Sequence, residues 1–406
     1  MLIIEKVLKN KSFQNDKSEI QKDCINALLR NPFPSKKNEK WRLTDKNKLS
    51  EFLNFKLDNG IATNNNLLKN SSNNILKLTI GENQFKDLIE KTWSIQTLSE
   101  EELDKIITND LTDSNPEDNW SKLLNHSLSY QNNILGLKIK GEEIPPIEIL
   151  TESNSGFLSA KTLILLIEKN SKVNILNLNL GAKNSSLSLA THIELENNAE
   201  MNYGSVSLGS KGSNILHSLT VNQEKNSNLN LGSLQFQFEF GRFELSINQK
   251  NGEAKTQIKG MQISKNREQL CTFSEIKFNG PNGFLDQINK SLACDSSHAI
   301  FEGAILVPKI AQKTDASQLS RNLLLSKYAT IDTKPQLEIV ADDVKCKHGA
   351  TVTQLNNEEL FYMRSRGLTL EEASKLQLKS YYQEIISFLP AHAEHLNLLD
   401  YLLNEK

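Results

Sequence analysis

The chain has 406 residues, 47 of them basic and 49 acidic, for a net charge of -2. A balance this even supplies no long-range field for gathering phosphates, which argues against nucleic acid as a partner. With a mean hydropathy of -0.45 and no strongly apolar run longer than Leu163–Ile167, far short of the roughly 20 residues that cross a bilayer, no membrane span is expected.

The N-terminus, MLIIEKVLKNKSF, places acid and base directly after Leu2-Ile3-Ile4, so no secretory leader is expected either. Residues 1–130 read as a mainly helical domain. Ile20, Cys24, Ala27 and Leu28 recur at helical spacing before a break at Asn31-Pro32-Phe33-Pro34, and the Asn- and Lys-rich stretch from Asp58 to Lys77 reads as a loop. Ser99 followed by Glu100, Glu101 and Glu102 predicts a capped helix start, with acids where the helix dipole favours them.

From about Gln131 the apolar period changes to two. Leu135, Leu137 and Ile139, then Val173, Ile175, Leu178 and Leu180, then Leu187 and Leu189, Phe236, Phe238 and Phe240, and Phe243, Leu245 and Ile247 alternate with polar residues. Clusters such as Glu168–Lys172, Glu196–Ala199 and Gln223–Ser227 separate the runs. Short strands joined by tight polar turns follow. With no exact repeat motif, either a β-sandwich or a β-solenoid satisfies the pattern, and the Asn-rich turns favour the solenoid over residues 131–352. Residues 353–406 return to helical signals: Asn356 or Asn357 as a cap, Gly367 as a stop, a Thr369/Glu372 capping box, Pro390 as an end, and a last helix over Ala391–Asn404.

Four cysteines, Cys24, Cys271, Cys294 and Cys346, are scattered through the chain. That usage fits a reducing compartment, cytoplasm or an organelle stroma. No Cys/His cluster of zinc-finger spacing occurs, so no four-ligand metal site can close from one local motif. The sharpest constellation is Cys346 with His348: two residues apart on a strand, they aim a thiol and an imidazole to one side while Lys345 and Lys347 face the other. They form half of a tetrahedral set, completed most simply by a partner subunit. The plain alternative is a buried cysteine beside an ordinary histidine. A Cys–His nucleophile pair fits poorly, because neighbours on one strand face point in parallel.

His392 and His395 stand one helical turn apart but lack a third ligand, so an exposed helix face is expected. Cys271, Cys294, His192, His217 and His298 fall on β segments, where burial is the default for the cysteines; Cys294 with His298 could line the Cys346 site. Neither GxxxxGK[ST] nor GxGxxG occurs, and no carboxylate pair stands out as acid and base. The expectation is a chain that is not an enzyme and binds no nucleotide.

Several segments carry a family resemblance: Lys40-Trp41-Arg42 with Thr44, Ala311–Ala316, Asn322–Leu325, Pro335–Ile339 and above all Asp342–Gly367, which reads DDVKCKHGATVTQLNNEELFYMRSRG. Together they resemble the SufB/SufD family of iron–sulfur cluster assembly subunits. The run through Cys346 and His348 is similar to the SufD side, since the SufB side reads CEHEA there and carries a cysteine cluster upstream. Where the family often has histidines, the stretch DQINKSLACDSS keeps only Asp286 and Cys294.

The resemblance implies a right-handed parallel β-helix flanked by N- and C-terminal helical domains. It implies a scaffold that pairs with a SufB-like paralogue through the β-helix, docks a SufC-like ATPase on its C-terminal helices, and can form a homodimer alone. His348 and Cys346 would hold iron or a nascent cluster shared with the paralogue, and Leu360, Phe361, Arg364, Arg366 and Gly367 would meet the ATPase. The competing readings are a β-helix carbohydrate-active or carbohydrate-binding protein and a metal-free structural homodimer.

Overall fold

A computed structural model describes residues 3–404 apart from 16, 36, 59–74, 82–93 and 113–118. Most of the expected loop over Asp58–Lys77 lies outside the described residues; its end, Leu76 and Lys77, belongs to a strand, Leu76–Thr79.

The period-two segments fold as strands that alternate between two sheets of ten and nine strands. Each strand pairs with the strand two places on in the sequence: Ser186–Leu195 lies between Phe157–Ile167 and Asn214–Gln223, and Lys172–Leu180 pairs with Glu200–Leu208. All of these pairs are parallel, which makes the core a β-solenoid of about eight coils. Its sandwich rival is excluded, because an immunoglobulin-like sandwich is built from antiparallel pairs.

The corners of the coils reveal a repeat that the sequence pattern alone conceals. Asn170, Asn198, Asn226 and Asn282 all take left-handed φ between 58° and 61°, a conformation asparagine tolerates because its short side chain bonds locally. The side chains of Asn198 and Asn170, 28 residues apart, hydrogen-bond at 2.9 Å, as do Asn202 and Asn174 at 2.7 Å one step along. The repeat is one of conformation, written as Glu-X-Asn-Ser/Ala at Glu168, Glu196 and Glu224.

Side chains facing the lumen form the largest core, running from Leu78 and Ile95 through Ile175, Tyr203, Leu231 and Ile276 to Val307. The outer face of the first sheet is covered by the N-terminal helices, with Leu28, Trp41, Phe52, Trp120 and Leu128 packing on Leu158, Leu216 and Phe240. The C-terminal helices cover the second sheet through Tyr382, Ile385, Leu389, Leu398 and Leu402. The N-terminal region is thus not all helix: Lys56–Leu57, Leu76–Thr79 and Ile95–Thr97 pair onto the first coils.

The capping signals land where expected. Ser99 accepts from Glu102 N–H ahead of the helix Glu100–Thr112, Asn356 accepts from the Glu358 and Glu359 N–H groups, and Thr369 and Glu372 cap each other reciprocally. Gly367 takes φ +97. The last helix differs: Ala391–Leu396 is a 3-10 turn, Asn397 adopts φ 46, and the α-helix restarts at Leu398. A left-handed residue cannot continue an α-helix, so the expected single helix is broken there. Among the described residues no helix is long and apolar enough to cross a membrane.

Candidate functional site

The strand Lys345–Thr353 ends the nine-stranded sheet, pairing only with Asp315–Leu324. Its other edge carries no strand among the described residues. Ala316, Gln318, Ser320 and Asn322 are buried toward the lumen; their partners in register are Cys346, His348, Ala350 and Val352. Cys346 and His348 therefore share the lumen-side face, and Lys345 and Lys347 face outward.

The pair differ in surroundings. Cys346 is half-buried and packs against the lumen core, whereas His348 is exposed. Burial and the nearby Asp315 carboxylate push the Cys346 thiol up, against a smaller opposing effect from the Ala316 backbone. In the chain alone the thiol thus stays protonated at neutral pH, and a bound cation would supply the charge that favours thiolate. Among the described residues no group of three or more His, Cys, Asp or Glu side chains could hold a metal ion.

Cys294 and His298 are not brought to this pair. Cys294 stands nine positions beyond Leu285, which lies in the Cys346 column; at the usual rise this is about 30 Å. His298 is engaged elsewhere, with Nε2 2.7 Å from Asp332 and Nδ1 3.0 Å from Gln269. Cys24 and Cys271 are buried, and burial pushes both thiols up to about 12. His392 and His395 turn out to seat the C-terminal segment: His392 Nε2 lies 3.2 Å from Ile147 O, and His395 Nε2 lies 3.1 Å from the carboxylate of the fully buried Glu148. The expected exposed face is kept at His395 while His392 is half-buried, and together they form a seam against the second sheet.

Of the C-terminal candidates, Phe361, Arg364, Arg366 and Gly367 are exposed, Phe361 by 74%. Leu360 is turned inward at 7% exposure, so it supports the helix instead of presenting a surface.

One polar cluster escaped the sequence reading. Beneath the helix Trp120–Leu128, Lys122 lies 2.8 Å from Asp110, Asp110 lies 3.3 Å from His192, and the His126 and His192 rings stack at 5.4 Å. Burial works to raise Asp110, but Lys122 and His192 hold it down at about 2, while burial pushes His126 down to about 3. No local spacing links residues so far apart. Beside them a cavity of about 340 Å³ is lined by Lys122, Arg242, Glu244 and Glu302. The Arg242 guanidinium sits 3.7 Å from the centroids of both the Trp41 and Phe273 rings and donates to Thr44. The Lys40–Thr44 motif thus has a packing role: it clamps a buried arginine of the solenoid.

A parallel β-solenoid flanked by helical regions, whose last strand has an edge unpaired among the described residues, defines the class of fold. Residues 149–381 match the family described as SUF system FeS cluster assembly, SufBD core domain. The chain belongs to this family. It is 41% identical over 152 residues to an iron-sulfur cluster assembly SufBD family protein of Synechocystis, 37% identical over 153 residues to protein ABCI7, chloroplastic, of Arabidopsis thaliana, and 40% identical over 144 residues to iron-sulfur cluster assembly protein SufD of Escherichia coli. These matches span 37%, 37% and 35% of this chain and 34%, 32% and 34% of the relatives' own lengths.

Proposed function

We propose that the chain is a non-catalytic scaffold subunit in iron–sulfur cluster assembly, contributing Cys346 and His348 as half of a ligand set for iron or a nascent cluster. The observation that carries this reading is the position of the pair on the last strand of the solenoid, beside an edge with no neighbour among the described residues. A SufB-like paralogue built on the same solenoid can add its strands to that edge, because free backbone groups there accept parallel or antiparallel pairing. It would bring the remaining ligands, and the cluster under construction would sit between the subunits as cargo. The similarity to proteins named for iron–sulfur cluster assembly supports the cargo's identity.

The C-terminal helices are proposed to dock a SufC-like ATPase, which would supply nucleotide chemistry to the complex. Exposed Phe361, Arg364 and Arg366, beside the left-handed stop at Gly367, offer an aromatic and two cations on one short element. The assigned extents, a helical region over 1–130, a solenoid over 131–352 and an appendage over 353–406, belong to the same proposal.

The test is co-expression with both partners. His348→Ala is expected to leave folding intact and lower the iron and acid-labile sulfide recovered with the complex several-fold; unchanged content overturns the site. For docking, Phe361→Asp with Arg364→Glu is the appropriate change, because deleting the helices would strip Tyr382, Leu389 and Leu398 from the second sheet. Undiminished capture of the ATPase by the double variant would refute the docking surface.

A further inference from the structure

Among the described residues His348 has no acceptor for its second ring N–H, the partner that in almost every metal-ligating imidazole selects the tautomer. Lys345 and Lys347 cannot serve, being donors only. In register directly beside His348, on the same lumen-side face, lies Gln318.

The Gln318 amide is fixed from behind. Its Nε2 donates to Gln287 Oε1 at 2.9 Å, and Gln287 Nε2 donates in turn to Ser274 Oγ at 2.9 Å. In this arrangement Gln318 Oε1 is an acceptor with no hydrogen-bond partner among the described residues, on a side chain only 1% exposed. Across the lumen, Gly303 makes room for it: a Cβ there would stand 2.4 Å from Gln318 Nε2. An oriented, buried, unused acceptor is costly to keep, and here it sits one strand from an exposed imidazole.

Resting on the reading of His348 as a ligand, we infer that Gln318 Oε1 accepts the hydrogen bond from the His348 ring nitrogen turned away from the cargo once a partner covers the open edge. Gln318 is thus a positioning residue. The relay Ser274–Gln287–Gln318 carries orientation from the solenoid interior out to its last strand, and the imidazole meets the cargo already in one tautomer.

The experiment uses the chain labelled with ¹⁵N-histidine in complex with its co-expressed paralogue, the His348 ring signals being assigned by their loss in His348→Ala. The ring nitrogen shifts are expected to report a single tautomer, and Gln318→Met to give a mixture together with a roughly tenfold loss of bound ferrous iron. Gln318→Glu, which retains an acceptor oxygen, is expected to restore the single tautomer. A single tautomer unchanged in a folded Gln318→Met complex overturns the inference, as does a mixture in the unsubstituted complex. Should the Met variant fail to fold, Gln318→Asn, which withdraws the oxygen by one methylene, is read the same way. If the tautomer follows Gln318 while His348→Ala leaves iron and sulfide untouched, the cargo assignment fails and the hydrogen bond stands; the converse pair of results sinks the hydrogen bond alone.

Discussion

The two ends of the solenoid are made of the same kind of strand and have opposite fates. At the proximal end, Ile147–Glu152 is buried along nearly its whole length, and the sheet edges are closed by Leu76–Thr79 and by the antiparallel strand Ile95–Thr97. At the distal end, Thr330–Ile339 is only half-buried and Lys345–Thr353 is mostly exposed, with Val340 at 65% and Val352 at 45% exposure. A parallel coil cannot satisfy both of its faces by itself; it needs a neighbour above and below. One end receives that neighbour from its own chain, and the other, among the described residues, leaves the place free, which is where Cys346 and His348 stand.

The contrast can be broken most forcefully by removing bulk from the middle of the solenoid and from its last strand. Phe278, fully buried in the lumen, is expected to cost about 3–5 kcal/mol as Phe278→Ala, read from the urea midpoint, whereas a truncation on the last strand should barely register. Comparable losses at both sites would show that the distal coil is as tightly packed as the middle.

Acid should attack the covered parts first. Burial holds His126 and His217 down to about 3, so both are neutral when folded and regain an ordinary value near 6.5 when unfolded. Between about pH 6.5 and pH 3 the unfolded chain binds protons the folded chain refuses, and stability falls as pH drops through that window, with no contribution above it. Thermal melts from about pH 8 to about pH 4 should show this slope, and His217→Gln should flatten it by an amount on the order of 1–3 kcal/mol; an unchanged slope would remove His217 from the account.

Smaller effects are expected at the appendage and least at the free strand. Thr369→Ala deletes half of a reciprocal cap and should cost about 1 kcal/mol, detectable as loss of helical ellipticity on mild heating. Val352→Ala should change the stability of the isolated chain by no more than about 0.5 kcal/mol and show itself in weaker capture of the paralogue. A large effect on the isolated chain would mean the last strand is already covered.

How much of this was legible beforehand depends on distance along the chain. The alternation of Leu135 with Leu137 or Phe243 with Leu245 is local, so strands could be read; so could Cys346 and His348, whose common face follows from adjacent spacing. The stacking of Gln318 under His348 could not, because it requires knowing that coils repeat every 26 to 32 residues, and the corners encode that interval through backbone conformation at Asn170, Asn198 and Asn226 more than through a spelled motif. Asp110, Lys122 and His192 were hidden for the same reason: their pairing is made by a helix lying across the sheet. Leu360 and His392 misled because helical spacing says which residues share a face but not what that face meets.

The asparagine-cornered coils also set how the molecule comes apart. Each coil makes its backbone bonds only to the coil before and the coil after, so unfolding resembles unzipping from a terminus more than melting as a block. The outermost coil, held from one side, frays first and exchanges its amide hydrogens soonest. A subunit that closes over it would halt that fraying, and slowed exchange across residues 330–353 would serve as a direct meter of assembly, independent of any metal.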